Sequence, residues 1–269
     1  MQRGYYESLI ERVNKKIIQS GDIIEIYEYE KGYLKGYQLT DNEKRNIGRL
    51  KGEKSNNYDE HRKQVLQRAK KNLRRLINAN VGQYGEEFTA KFLTLTFKDN
   101  VQDIEQANYE FKKFIQRLNY YCFGTKKANL KYTCVVEFQK RGAIHYHVII
   151  YNMPYIKAND IGNVWGNGFI KINKIDDVDN VGAYVSEYLG QAEKGQGHDI
   201  EDDRLQGKKS YFSSKGLFKP VEITDKKIVE QVATALLNIK PTYSATYENE
   251  HLGNITYKQY NLKKMISKG

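Results

Sequence analysis

Along the middle of the chain, the spacing of apolar residues switches between two periods. Phe92-Leu-Thr-Leu-Thr-Phe97 is a run of β-formers and reads as a strand. From Asp103 to Cys122, residues Ile104, Ala107, Phe111, Phe114, Ile115 and Leu118 recur at helical spacing. Two more strands, Leu130–Phe138 and Ala143–Tyr151, flank Gln139-Lys140-Arg141-Gly142. A short helix over Asn159–Trp165, a strand over Gly168–Ile175 and a helix over Val178–Leu189 follow. The order β-α-β-β-α-β-α predicts an antiparallel sheet with helices packed on it, an α+β sandwich of ferredoxin-like (RRM-like) type.

The flanks are less regular. Residues 1–60 read as a short amphipathic helix, a tyrosine-rich stretch (IIEIYEYEKGYLKGYQ) and a polar segment, with no chemical motif. Asn78 to Glu87 is turn-like, and Gln191 to Arg204 is polar and reads as a loop. The tail offers an amphipathic helix over Lys227–Leu237 and strand-like pieces at Tyr243–Tyr247 and Asn254–Tyr260. We therefore divide the chain into 1–60, of unassigned role, a central domain over 61–220, and a tail over 221–269.

Composition narrows the partners. The 269 residues include 44 Lys and Arg against 33 acids, a net charge of +11, with a pI near 9.3. That excess favours a polyanion, because each cation at a phosphate releases condensed counterions. Its distribution is more telling. His61 to Arg75, HRKQVLQRAKKNLRR, carries Arg62, Lys63, Arg68, Lys70, Lys71, Arg74 and Arg75 with no acid. An apolar set of Val65, Leu66, Ala69, Leu73 and Leu76 places them on a helix over 61–78, and DNA contact is the expected use of its polar face. No run reaches the ~18 apolar residues of a membrane span, and the N-terminus lacks a secretory h-region. The expectation is a soluble, cytoplasmic protein of a bacterial host cell. Cys122 and Cys134 form neither a CxxC pair nor a disulfide framework and read as reduced thiols.

The chemistry starts at Ile144-His145-Tyr146-His147-Val148. Alternate residues of a strand share a face, so His145 and His147 point the same way, roughly 6–7 Å apart by strand rise. Two imidazoles at that spacing can converge on one ion. If Lys140-Arg141-Gly142 is a three-residue hairpin loop with Gly142 left-handed, Gln139 pairs with Ala143 and Glu137 lies opposite His145. Glu137 then joins the imidazoles, while Gln139 faces away. A two- or four-residue loop would put Glu137 on the wrong face. The mixed N/O set suits Mg²⁺ or Mn²⁺ with positions left open for phosphate oxygens.

A second constellation lies in Asn180-Val-Gly-Ala-Tyr-Val-Ser-Glu-Tyr-Leu-Gly. Tyr184 and Tyr188 stack on one helix face at i, i+4, beside an apolar stripe of Val178, Val181, Val185 and Leu189. On spacing alone they could equally edge a core. A phenolate can attack a phosphodiester to give a covalent phosphotyrosine, and a metal beside that phosphate would neutralise developing charge. The two constellations make chemical sense together.

Taken in order, these pieces resemble the HUH endonuclease superfamily, and within it the rolling-circle replication initiators of single-stranded DNA phages and related plasmids. The likeness spans roughly residues 60–220. Phe92–Phe97 resembles the first motif strand, Glu137 to His147 the metal motif with its upstream carboxylate, and Tyr184-Val-Ser-Glu-Tyr188 the two-tyrosine helix. Trp165-Gly-Asn-Gly168 and Ser213 to Pro220 resemble linking segments of the same proteins. One departure stands out. Such initiators usually carry a lysine three residues after a catalytic tyrosine, where this chain has Glu187 and Gln191, with Lys194 the nearest later candidate.

The resemblance implies a metal-dependent nickase that forms a 5′-phosphotyrosine and frees a 3′-OH. His145, His147 and Glu137 would hold Mg²⁺ or Mn²⁺, and Tyr184 or Tyr188 would attack single-stranded or hairpin origin DNA. No G-x-x-x-x-G-K-[ST] occurs, Gly52-Glu-Lys-Ser55 being too short. A host helicase would separate the strands and a host DNA polymerase would extend the 3′ end. Alternatives are a relaxase or transposase of the same chemistry, or a catalytically weak origin-binding repressor, which Glu187 and Gln191 favour.

Overall fold

A computed structural model describes residues 10–36, 58–139, 141–173, 175, 180–189, 209 and 211–266, with backbone only at 58–62 and 265–266. The chain forms two compact units, residues 1–56 with 221–269, and residues 57–220.

In the first unit, β1 (Glu11–Ser20) and β2 (Ile23–Lys35) form a hairpin. The segments that the sequence reading keeps apart as 1–60 and 221–269 thus share one sheet. It is completed by β8 (Val221–Ile223), β9 (Tyr243–Asn249) and β10 (Gly253–Asn261), in the order β8-β1-β2-β10-β9. Helix α5 (Lys226–Ala235) contributes Val229 to a cluster with Ile17, Ile26 and Tyr260. The short amphipathic helix expected near the N-terminus is not what the described residues form, since Glu11–Ser20 is a strand. Ile17 and Ile18 are both buried, one toward each face of the sheet, and a bulge between Val13 and Lys15 shifts the phase. Both-face burial and a bulge together imitate helical spacing.

The second unit is the predicted α+β sandwich. Helix α1 (Tyr58–Asn78) precedes β3 (Lys91–Thr96), α2 (Ile104–Phe123), β4 (Tyr132–Phe138), β5 (Ile144–Ile150), α3 (Ala158–Trp165) and β6 (Ile170–Asn173). Helix α4 (Val181–Ser186) and β7 (Tyr211–Ser213) follow, and α6 (Leu262–Ile266) ends the chain's described elements. The sheet is antiparallel with order β6-β3-β5-β4-β7. Its inner four strands and two crossing helices therefore have the ferredoxin-like arrangement, and β7 widens it beside β4. Asp103 caps α2 by accepting from the Glu105 and Gln106 N–H groups, and Gly124 ends it in the left-handed region.

Strand alternation splits the sheet chemically. One face carries Leu93, Leu95, Val136, Phe138, Ile144, Tyr146, Val148 and Ile150, all buried with Phe111, Phe114, Leu118, Ile161 and Trp165 of α2 and α3. The other carries Phe92, Val135, Ile149 and Tyr151, covered by Leu66, Leu73, Leu76 and Ile77 of α1 and by Val181 and Val185 of α4. Beyond that patch, the same face continues into the two histidines.

Candidate active site

The hairpin between β4 and β5 has the three-residue register. The Gln139 N–H donates to the Ala143 carbonyl, Gly142 has φ 86, and Glu137 pairs with His145. Ligand atoms of Glu137, His145 and His147 all lie within 4.8 Å of one another. His147 Nε2 contacts Glu137 Oε2, and its Nδ1 lies 3.3 Å from Thr94 Oγ1 on β3. That hydroxyl orients the ring from behind, as second partners of ligating histidines do.

His145 is 8 % exposed, and its Nε2 is buried with no hydrogen-bond partner. A buried polar nitrogen without a partner costs free energy, so its presence beside a carboxylate and a second imidazole fits a cation-binding role. Burial, with the His147 and Arg141 charges acting against the Glu137 carboxylate, lowers the His145 pKa to about 4. The ring is therefore neutral, as a ligand must be. The donor set, two nitrogens and a carboxylate, fits a divalent metal, with Mg²⁺ or Mn²⁺ the ions expected from its chemistry.

Tyr188 closes one side of this centre. Its ring stacks on His147 at 4.1 Å between centroids, and its hydroxyl lies 3.4 Å from that of Tyr184. Both tyrosines are half-buried, and both pack against Phe92. Burial raises the Tyr188 pKa, and its Tyr184 neighbour and the Glu137 and Glu187 carboxylates raise it further. The helix expected over Val178–Leu189 is regular only over Val181–Ser186 and continues as a tight turn through Leu189. The i, i+4 stacking survives, because Tyr188 N–H still donates one turn back, to Val185. Residue 178, Gln191 and Lys194, like the expected loop over Gln191 to Arg204, lie outside the described residues.

Helix α4 is pinned onto the basic helix by contacts that sequence reasoning missed. Asn180 Oδ1 accepts from the Ala183 N–H and from Asn78 Nδ2, while Asn78 Oδ1 accepts from the Gly182 N–H. A Cβ on Gly182 would meet the Arg74 carbonyl at 2.1 Å, so only glycine permits this approach. The signals were an Asn at a helix start and a Gly inside a helix, neither of which names its partner.

The basic helix follows the expected span, with one correction. Val65 is 45 % exposed, and the buried stripe is Leu66, Leu73, Leu76 and Ile77. Lys63 and Arg68 are exposed, whereas Lys70, Lys71, Arg74 and Arg75 are half-buried. The Arg62 side chain lies outside the described residues. Leu66, Leu73, Leu76 and Ile77 share a cluster with Phe92 and both tyrosines, which ties the basic helix to the centre.

The sequence model of a replication-associated protein family, the ORF2 type, matches residues 90–193. That span runs from β3 through both tyrosines and takes in all three candidate ligands. No curated protein and no solved structure matches the chain. Among the described residues, no helix is long and apolar enough to cross a membrane.

Proposed function

We propose that this chain is a rolling-circle replication initiator of HUH endonuclease type, nicking one DNA strand at an origin and carrying its 5′ end on tyrosine. The observation that carries this reading is a three-ligand cluster with a tyrosine ring stacked directly on one of its histidines. The match to the replication-associated family over the same residues supports it.

Glu137, His145 and His147 would hold Mg²⁺ or Mn²⁺. When bound, the ion supplies positive charge to the scissile phosphate and to its leaving oxygen. Thr94 keeps the His147 ring in place. The Tyr184 or Tyr188 oxygen forms a bond to phosphorus and gives up its proton. The bond from phosphorus to the 3′ oxygen breaks, leaving a 5′-phosphotyrosine and a 3′-OH. A host DNA polymerase extends that end as a separate helicase opens the duplex. The adjacent second tyrosine accepts a second cleavage, so the displaced strand can be transferred and closed. The basic helix, through Lys63, Arg68, Lys70, Lys71, Arg74, Arg75 and Arg62, holds phosphates nearby. The compartment is the bacterial cytoplasm.

The test is nicking of single-stranded origin oligonucleotides in Mn²⁺ against EDTA, read as a protein–DNA adduct on denaturing gels. Loss of the adduct in the Tyr184→Phe/Tyr188→Phe double variant is expected. An adduct that persists there overturns the nucleophile assignment. A second reading, an origin-binding repressor, draws on Glu187, whose charge opposes ionisation of Tyr188 where related initiators place lysine. Origin binding with no cleavage in Mn²⁺ would establish it.

A further inference from the structure

Strand β6 lies at one edge of the sheet, and no strand pairs with its outer side among the described residues. Its inner side is registered on β3, and β3 on β5. Lys171 pairs with Thr94, which pairs with His147. One step along, Leu95 pairs with Ile170, and the Thr96 N–H donates to the Phe169 carbonyl. Phe169 is therefore level with Thr96, which pairs with His145. Cross-strand partners share a face. Phe169 and Lys171 thus stand on the face of the metal centre, two strands and roughly 10 Å away. Ile170 between them points into the covered core.

Phe169 is 69 % exposed. Its backbone is nevertheless firmly held. Trp165 Nε1 donates to the Thr96 carbonyl, the Lys98 N–H donates to the Asn167 carbonyl, and Asn167 Nδ2 donates to Glu110 Oε2. A Cβ on Gly168 would lie 2.4 Å from both the Lys98 nitrogen and the Thr96 oxygen. The Trp165-Gly-Asn-Gly168 turn is therefore built to bring Phe169 to the end of β3, yet it leaves the ring in water. Lys171 is also exposed and makes no ion pair among the described residues. A rigidly placed, exposed aromatic ring beside an exposed cation has the chemistry of a stacking platform for single-stranded nucleic acid.

We propose that Phe169 stacks a base of the single strand and Lys171 holds the adjoining phosphate, so that β6 sets the path of the DNA across the metal centre. The inference rests on the nickase reading and names its substrate as unpaired DNA. At roughly 10 Å from the ligands, the stacked base belongs to a neighbour of the scissile nucleotide.

The experiment uses the full chain in EDTA, which separates binding from cleavage. Fluorescence anisotropy follows a labelled thymidine oligonucleotide, with unlabelled single strand or duplex as competitor. Phe169→Ala is expected to weaken single-strand binding about tenfold, and Phe169→Trp to restore it. Lys171→Ala should lower the slope of log affinity against log salt by about one. In an origin oligonucleotide, an abasic site at one position should weaken the native protein but not Phe169→Ala. Because Phe169 is exposed, its alanine variant should keep the native melting temperature, which excludes misfolding. Unchanged affinity in Phe169→Ala, or equal competition by duplex, overturns the platform even if the adduct forms. An absent adduct with the platform effects intact overturns the nickase reading instead.

Discussion

The two faces of the central sheet are built from the same strands and do opposite work. Along β5 every residue is buried, but Ile144, Tyr146, Val148 and Ile150 meet α2 and α3, whereas His145 and His147 meet Glu137, Thr94 and Tyr188. The first set packs apolar surface. The second includes a buried imidazole nitrogen without a hydrogen-bond partner. Binding sites are commonly held at some expense of stability. Substitutions on the apolar face should therefore show up as lost stability, and those on the polar face as lost function with stability kept.

The largest effect is expected on the polar face. His147→Ala should reduce nicking in Mn²⁺ by about 1,000-fold or more, as losing several kcal/mol of charge stabilisation would. The same variant should abolish the rise in melting temperature that Mn²⁺ gives the native protein. A rate within tenfold of native would break the comparison. Its pH dependence has a defined sign. Unfolded, His145 titrates near ~6.5, whereas in the folded protein burial and the His147 charge hold it at about 4. Between those values the unfolded chain binds a proton that the folded one refuses. Metal-free stability is therefore full above about 6.5 and declines as pH falls toward about 4. His145→Leu should flatten that decline in thermal melts.

On the apolar face, Leu95→Ala should cost about 2–5 kcal/mol in denaturant unfolding, since Leu95 is fully buried between β3 and its helices. Thr96→Ala, one residue along on the other face, should cost well under that. Equal losses at both positions would show that the sheet does not divide its labour.

Gly182→Ala comes next and joins the two kinds of effect. The added Cβ would meet the Arg74 carbonyl at 2.1 Å, so α4 must move off α1 and carry Tyr184 and Tyr188 with it. Displacing a reacting group by about 1 Å costs on the order of 100-fold in rate. The adduct yield should fall by that order while the metal-dependent rise in melting temperature remains. Loss of metal binding as well would mean that α4 supports the ligands and not only the tyrosines.

How far the site was legible follows from how local each feature is. The register that puts Glu137 opposite His145 depends on one loop of three residues, and the sequence reading reaches it with Gly142 as the clue. The helical spacing of Tyr184 and Tyr188 is equally local. Strand β1 misleads because Ile17 and Ile18 are buried on opposite faces, so no single period describes it. The alignment of Lys171 with Thr94 and His147 requires the order of three strands that are far apart in sequence. Nothing in residues 170–173 alone discloses it. The Asn78–Asn180 contact is of the same kind, linking positions 102 residues apart.

That contact gives the smallest effect. Asn180 Oδ1 serves both as the cap of α4, accepting from the Ala183 N–H, and as acceptor for Asn78 Nδ2. Asn180→Ala should cost about 1 kcal/mol in unfolding, the usual loss for a helix cap, while Asn180→Asp should keep the cap. Asn78→Ala should cost more, about 1–3 kcal/mol, because it strands the buried Gly182 N–H that its side chain satisfies. Both losses should leave the rise in melting temperature on adding Mn²⁺ unchanged, since neither residue touches Glu137, His145 or His147. If Asn180→Ala instead lowers adduct yield as far as Gly182→Ala does, the helix is held by its cap rather than by the close approach of Gly182 to Arg74.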